Sequence, residues 1–225
     1  MSAPARPLPD VRNAAGVCSA EEDTHLLAQV SAEVAPAGGR CLDLGTGSGY
    51  AAIYLAQRGL QVDATDISER ALTLARQNVA RNGVTVNIFR SDMFGAVVGL
   101  YDVIAFNPPM NPGESEATRL ATAFLRRHRR LANFLMRAFD RFMESSRLPF
   151  LQDFLEQARG HLTGRGCVVL ELTRLEIDEL ARRLPAWRFG RRVDIPRLPT
   201  EQIVVAWPAM DCDGAPSRPG WGPAA

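Results

Sequence analysis

The chain has 225 residues, a hydrophobic fraction of 46%, a charged fraction of 23% and a formal net charge of +1. This length fits one domain, with or without an elaboration, and suffices to bury a sizeable core. A net charge near zero gives no whole-chain argument for a nucleic-acid partner. The first residues lack an apolar signal core and no apolar run is long enough to span a membrane, so we predict a cytoplasmic protein without a membrane partner.

The cysteines give no sign of a metal site or a disulfide framework. They are spread along the chain, form no CxxC pair and have no ligand spacing with the three histidines: Cys18, Cys41, Cys167 and Cys212. We therefore predict free thiols in a reducing compartment and no bound metal.

The two ends of the chain differ in composition from the middle. Pro- and Gly-rich sequence predicts a disordered tail over residues 1–12 and a second one over residues 208–225. Residues 13–207 form the predicted domain. Within it, about residues 112–150 form a long segment between the fourth and fifth predicted strands, which we expect to be a helical insertion.

Short apolar runs alternate with helical patterns along this domain. The predicted strands, in chain order, are RCLDLG, QVDATDI, VTVNIFRSD, YDVIAFN, GCVVLELT, WRFGRRVDI and QIVVAWP. Helices are predicted for SGYAAIYLAQRG, for SERALTLARQNVARNG between an N-cap Ser68 and a C-cap Gly83, and for EIDELARRL. This alternation predicts an α/β fold, with a seven-stranded, mostly parallel sheet, helices on both faces and an antiparallel last strand pair.

Three successive predicted strands end in residues suited to binding a ligand, and ligands bind at this edge of such sheets. In DLGTGSG, residues 43–49, three glycines at alternate positions let the backbone approach a ligand closely. Asp66, after the second strand, offers acceptors for two ribose hydroxyls. Asp92, after the third, can accept from an exocyclic amine, and Met93 can pack against a flat base.

Together these motifs resemble the class I S-adenosylmethionine-dependent methyltransferases. DLGTGSG is similar to their glycine loop, Asp66 to their ribose-binding acid, and NPPM at residues 107–110 to the Asn/Asp-Pro-Pro-aromatic signature of the N-methyltransferases. The GxGxxG spacing of dinucleotide enzymes is absent. The resemblance implies a Rossmann-like fold, S-adenosylmethionine as cofactor and these cofactor-binding residues: Asp23, Thr24, Asp43, Gly45, Thr46, Gly47, Gly49, Asp66, Ile67, Asp92, Met93 and Asn107.

A narrower resemblance involves the stretch GVCSAEEDTHLLAQV, residues 16–30. It is similar to the segment before the glycine loop in HemK-type glutamine methyltransferases, and most similar to their short eukaryotic and archaeal branch. This resemblance implies that Glu22, Asp23 and Thr24 lie over the amino-acid end of the cofactor. The alternative is a helix start with Asp23 or Thr24 as the N-cap.

The Asn-Pro-Pro sequence indicates a site that binds a substrate nitrogen atom through hydrogen bonds. Prolines have no N–H and hold the preceding residue extended. The Asn107 side-chain oxygen and the Pro108 carbonyl can then both accept from one NH2 group, so we assign these two residues the catalytic role. This arrangement favours the ammonium-like charge that develops on the nitrogen in the transition state.

Two features depart from the resemblance and concern the methyl acceptor. Met110 stands where the family has an aromatic residue, so a flat amide or base loses its packing partner. A predicted helix over about residues 117–147 has an arginine stripe that could receive an acidic protein, a phosphate backbone or a carboxylate, or could be a solvated face. We list Met110, Arg126 and Arg130 as expected substrate contacts.

These features lead us to expect an N-methyltransferase that acts on a small amino-acid-like metabolite. Three alternatives stay open: a release-factor-type protein glutamine methyltransferase, a nucleic-acid base methyltransferase and a non-catalytic scaffold with this fold. The expected partner is a small molecule or a peptide, nucleic acid is not favoured, and the oligomeric state is open. The intact glycine loop and strand-end acid argue against the alternative of a non-catalytic scaffold.

Overall fold

The structure is a computed structural model that describes residues 7–14, 17, 22–108 and 147–209. The expectations for Met110, Arg126 and Arg130, for the helical insertion up to residue 146 and for residues 210–225 of the second tail lie outside the described residues.

The described chain alternates strands with helices. The strands are β1 (Arg40–Leu44), β2 (Gln61–Asp66), β3 (Asn87–Arg90), β4 (Tyr101–Phe106), β5 (Leu162–Thr173), β6 (Trp187–Ile195) and β7 (Leu198–Pro208). The helices are α1 (Glu22–Val34), α2 (Tyr50–Ala56), α3 (Glu69–Arg81), α4 (residues 147–159) and α5 (Arg174–Arg183). As predicted, Ser68 is the N-cap of α3, and its side chain accepts a hydrogen bond from the Ala71 amide.

All seven strands form one sheet in the order β3-β2-β1-β4-β5-β7-β6. Strands β1 to β5 pair in parallel, and β7 runs antiparallel to both β5 and β6. This confirms the predicted mostly parallel, Rossmann-like sheet with its antiparallel last strand pair. The strand order reverses between β1 and β4, and a crevice outside the carboxyl ends of the strands is expected at such a point.

The core lies on both faces of the sheet because side chains alternate along each strand. On β4, Ile104 and Phe106 pack in a cluster with α4 and α5, whereas Val103 and Ala105 pack in a second cluster with α1 and α2. Strands buried on both faces have continuous apolar sequences, which explains the run VIAF. The helices therefore cover both faces, as predicted.

Residues 7–12, which belong to the tail predicted as disordered, are placed against α3. The Asp10 and Arg12 amides donate to the side-chain oxygens of Asn82 and Asn78, both at 2.9 Å. The Arg81 Nε–Asp10 Oδ2 ion pair measures 2.7 Å. Asparagine side chains at the end of α3 thus satisfy two backbone amides of this stretch, and the disorder predicted for residues 1–12 stays a prediction.

Two described cysteines, Cys41 on β1 and Cys167 on β5, are free and buried. Burial is the main cause that raises the pKa of Cys41 to about 12, so this thiol stays protonated and unreactive. Among the described residues, no helix has both the length and the apolar character needed to cross a membrane.

Candidate active site

A cavity of about 770 Å³ opens at the carboxyl ends of the central strands. The loops after β1, β2, β3 and β4 line it together with the first turn of α1 and residues of α4, β5 and β7. Eleven of the twelve predicted cofactor residues lie in this lining, as does Pro108. Gly49 lies outside it.

The glycine loop after β1 has the sharp backbone that the sequence predicts. Gly45, Gly47 and Gly49 have φ angles of 69°, 54° and 83°, a region that favours glycine. A Cβ on Gly49 would lie 3.1 Å from the Cβ of Ala75. Gly49 therefore allows α2 to start close against α3, while Gly45 and Gly47 expose the loop backbone to the cavity.

Asp43, at the end of β1, holds the glycine loop in place through hydrogen bonds. It is only 4% exposed, and its Oδ2 accepts from the Thr46 hydroxyl at 2.6 Å and from the Ala52 amide at 3.1 Å. Burial raises the pKa of Asp43 to about 6, against the lowering effect of these two hydrogen bonds. The carboxyl group thus ties the loop to the first turn of α2.

Asp66 ends β2 and faces the glycine loop. Its Oδ2 accepts from the Gly47 amide at 3.0 Å, and its Oδ1 accepts from the Ser68 amide at 2.9 Å. A carboxylate oxygen has a second lone pair, so each oxygen can still accept one more hydrogen bond. The residue therefore has a fixed orientation and two free acceptor positions, as a ribose diol requires.

The turn after β3 places Asp92 and Met93 at the cavity. Met93 has a φ of 45°, a strained value for a residue with a side chain, and its carbonyl accepts from the Ser91 hydroxyl at 2.7 Å. Asp92 is exposed, and Ile67, after β2, is 56% exposed while lining the same cavity. This part of the lining combines an acceptor with apolar surface, which suits a flat base.

Asn107, directly after β4, is held by the first turn of α1. Its Nδ2 donates to Asp23 Oδ2 at 2.9 Å. Because a carboxylate only accepts, this bond fixes which side of the Asn107 amide is the nitrogen, and Oδ1 has no hydrogen-bond partner among the described residues. Helix α1 begins at Glu22, so Asp23 and Thr24 lie within its first turn and neither is the N-cap.

Two residues of this site, Glu171 and Glu201, are absent from the sequence prediction. The β4–β5 register pairs Phe106 with Leu170, so the next position places Glu171 beside Asn107. Glu201, on β7, lies opposite Thr173 and also lines the cavity. The available signal was a single acid in the apolar strand VVLELT, but its partners come from β7 and α1.

Among the described residues that line the cavity, Glu171 has the pKa that departs most from its ordinary value. Burial is the largest cause that raises the pKa of Glu171 to about 9, followed by contacts with Glu201 and then Asp23. Glu171 is therefore protonated at neutral pH, and its O–H can donate to a neighbouring carboxylate.

The described lining is strongly acidic. It contains six carboxyl side chains and no arginine, with the acids contributed by Asp23, Asp43, Asp66, Asp92, Glu171 and Glu201. Such a lining favours a ligand with net positive charge and disfavours one with phosphate groups. Among the described residues, no group of His, Cys, Asp and Glu has an arrangement that could hold a metal ion.

Comparison with known proteins identifies the family. The model of the methyltransferase small domain family matches residues 10–133. The chain belongs to this family. The release factor glutamine methyltransferase of Lactococcus lactis is 33% identical over 153 residues, which cover 67% of this chain and 53% of that protein. The ribosomal RNA small subunit methyltransferase C of Chromohalobacter salexigens is 43% identical over 76 residues, which cover 34% of this chain and 23% of that protein.

Solved structures agree on the fold. A ribosomal protein L11 methylase from Lactobacillus delbrueckii superposes with a TM-score of 0.61 at 21% identity, covering 87% of this chain and 83% of that one. A methyltransferase from Pyrococcus furiosus superposes with a TM-score of 0.62 at 18% identity, covering 89% and 88%. The chain spans about half the length of the first curated relative that it matches, and less of the second.

The cofactor of this methyltransferase fold is S-adenosylmethionine, and the residues present fit it. Its sulfonium and ammonium groups outweigh one carboxylate, so its net positive charge suits the acidic lining. Asp66 offers two acceptors for the ribose, and the positive-φ glycines allow the backbone to approach closely.

The first prediction concerns Asp66. The substitution Asp66→Ala removes charge-assisted hydrogen bonds, so S-adenosylmethionine binding should weaken by about 2–4 kcal/mol, measured by isothermal titration calorimetry. Glu69→Ala, an exposed acid in the first turn of α3, is the control for loss of charge alone. If Asp66→Ala bound the cofactor within about threefold of wild type, the ribose assignment would be wrong.

The second prediction concerns Glu171. Its pKa rises from the ordinary 4.5 to about 9, so between these values the folded state holds a proton that the unfolded state releases. The stability contribution of Glu171 therefore falls as pH rises through this window. Glu171→Gln does not titrate, and its free energy of unfolding relative to wild type should increase by at least about 1 kcal/mol between about pH 5.5 and about pH 8.5.

Urea denaturation at the two pH values measures this difference. The titration of Asp43 is present in both proteins and cancels from it. A difference that stays constant with pH would show that Glu171 does not hold a proton in the folded protein.

Proposed function

We propose that this protein transfers a methyl group from S-adenosylmethionine to the side-chain nitrogen of a glutamine in a protein acceptor. The observation that supports this most directly is the Asn107 amide, which is oriented by Asp23 and lines the cavity together with the buried acid Glu171. The match to the release factor glutamine methyltransferase extends over 67% of the chain, whereas the ribosomal RNA relative cited above matches 34%.

The proposed reaction needs little from the protein beyond positioning. Bound S-adenosylmethionine would supply a methyl group on a sulfonium, which is open to in-line displacement. The nitrogen–carbon bond forms as the carbon–sulfur bond breaks, S-adenosylhomocysteine leaves with the electron pair, and the methylated nitrogen then loses one proton to solvent. Asn107 Oδ1 and the Pro108 carbonyl accept hydrogen bonds from the two protons of an amide NH2 group and direct its lone pair at the methyl carbon. Positioning of this kind supplies much of the rate of a displacement reaction.

The small-metabolite acceptor that we expected from the sequence has no support among the relatives. Those compared above are named for protein glutamine or ribosomal RNA, and the residues that suggested a metabolite, Met110, Arg126 and Arg130, lie outside the described residues. We therefore adopt the glutamine alternative.

Ribosomal RNA is the second candidate, because several relatives are methyltransferases of the small-subunit RNA. The charge of the described cavity lining argues against it. A phosphodiester backbone would approach five acids besides the protonated Glu171, without a described basic residue among them. A glutamine side chain is neutral and brings no such repulsion.

The third prediction tests this function. The full chain, incubated with labelled S-adenosylmethionine, should methylate a peptide that contains Gly-Gly-Gln and leave small-subunit ribosomal RNA unlabelled. Asn107→Ala should lower the peptide rate by about a hundredfold while cofactor affinity stays within about threefold of wild type, because the lost acceptor acts in the transition state.

Asn82→Ala is the matched control, since it removes the same side chain from the far end of α3. Labelling of RNA alone would favour the second candidate. A normal rate for Asn107→Ala would mean that Asn107 does not hold the acceptor nitrogen.

A further inference from the structure

Three carboxyl side chains from three elements converge beside Asn107, and we call them the acidic cluster: Asp23 on α1, Glu171 on β5 and Glu201 on β7. The β5–β7 pairing sets Glu171 opposite Ile203. Glu201 lies two residues before Ile203 on β7, so the side chains of Glu171 and Glu201 are on the same face of the sheet. Glu201 and Asp23 are also the two acids whose proximity adds to the effect of burial in raising the pKa of Glu171.

Two members of the acidic cluster are buried, Asp23 is half-buried, and none of the three has a positive partner among the described residues. Glu171 and Glu201 are each 6% exposed, and the Oε2 atom of each has no hydrogen-bond partner within the described part of the chain. None of the ion pairs between described residues includes a member of the cluster. Arg197, on the loop between β6 and β7, is 88% exposed and pairs with Glu22 at 3.5 Å.

Buried like charges without a counter-ion are costly, and proteins retain such groups mostly at functional sites. The raised pKa of Glu171 implies a bound proton at neutral pH, which relieves part of the repulsion and lets Glu171 donate to one neighbouring acid. Among the described residues, the groups that face Glu171 are Asp23 and Glu201, both acidic, and the neutral Asn107. A bound cation would replace that proton and compensate the buried negative charge.

Two members of the cluster, Glu171 and Glu201, lie apart from the cofactor half of the cavity. The glycine loop, Asp66 and Asp92 follow β1, β2 and β3, which lie on one side of β4 in the sheet order. Glu171 and Glu201 lie on β5 and β7, on the other side, and Asn107 stands between the two halves. The cluster therefore faces the side from which the acceptor would approach Asn107.

We propose that the acidic cluster binds a cationic group of the methyl acceptor, a guanidinium or an ammonium close to the nitrogen held by Asn107. This inference rests on the proposed function and adds a specificity to it: the enzyme selects a glutamine with a basic neighbour. Cation binding displaces the proton of Glu171, so one proton is released and binding strengthens as pH rises from neutral towards 9.

The test compares acceptor peptides that differ in charge alone. Peptides containing Gly-Gly-Gln carry arginine before or after the glutamine, or its neutral isostere citrulline at the same place. For wild type, the better-placed arginine peptide should have a KM about tenfold or more below that of its citrulline partner, with a similar kcat. Glu201→Gln should bring the two KM values within about twofold.

Glu171→Gln serves as a second variant, and Glu156→Gln, on the exposed face of α4, is the matched control that should keep the preference. Calorimetry of the same peptides with the full chain loaded with S-adenosylhomocysteine measures affinity and proton release without turnover. This keeps the cation site testable if no Gly-Gly-Gln peptide is methylated, a result that would count against the proposed function alone.

Equal KM and equal affinity for arginine and citrulline peptides would overturn the proposal. So would a preference that survives both Glu201→Gln and Glu171→Gln. Proton release that accompanies S-adenosylmethionine binding but never peptide binding would assign the acidic cluster to the cofactor and overturn it as well.

Discussion

The hydrogen bond from Asn107 Nδ2 to Asp23 Oδ2 is the interaction on which the acceptor end of the cavity depends. An amide can bind in either of two orientations, and only one presents its oxygen to a substrate NH2 group. The carboxylate of Asp23 selects that orientation because it cannot donate a hydrogen bond. Asp23 lies in the first turn of α1, which packs on α2 and on the central strands through Leu27 and Val30. The core of the domain thus fixes the geometry of a single side chain at its surface.

The same carboxylate belongs to a group of acids that the fold brings together at a cost in stability. Parallel strands β4 and β5 end at one edge, and the antiparallel β7 returns along β5 to add Glu201. Glu171 responds by keeping a proton well above its ordinary pKa. Acids at this edge suit both parts of the account: the cofactor carries net positive charge, and a basic acceptor would supply the missing counter-ion.

Local patterns predicted the sheet, the glycine loop and the strand-end acid Asp66, because each depends on residues close together in the chain. The predicted bounds of β6, Trp187–Ile195, agree with the structure, where Pro196, which cannot donate to a strand pair, begins the turn after it. A role in the site could not be assigned to Glu171 and Glu201 from the sequence, because the role of a single acid in a strand depends on which residues the neighbouring strands place beside it. The link between Asp23 and Asn107 spans 84 positions. Gly49, expected at the cofactor, lies outside the cavity lining and allows close helix packing, a distinction that spacing alone does not provide.

The most direct test of the account compares Asp23→Ala with Asp23→Asn, measuring both the methyl-transfer rate and the affinity for S-adenosylmethionine. Alanine removes the acceptor that orients Asn107, so kcat should fall on the order of tenfold or more while cofactor affinity stays near wild type. Asparagine keeps an oxygen that can accept from Asn107, so it should retain most of kcat. A wild-type kcat for Asp23→Ala, or a loss of cofactor affinity without a change in kcat, would contradict the account and place Asp23 at the cofactor instead.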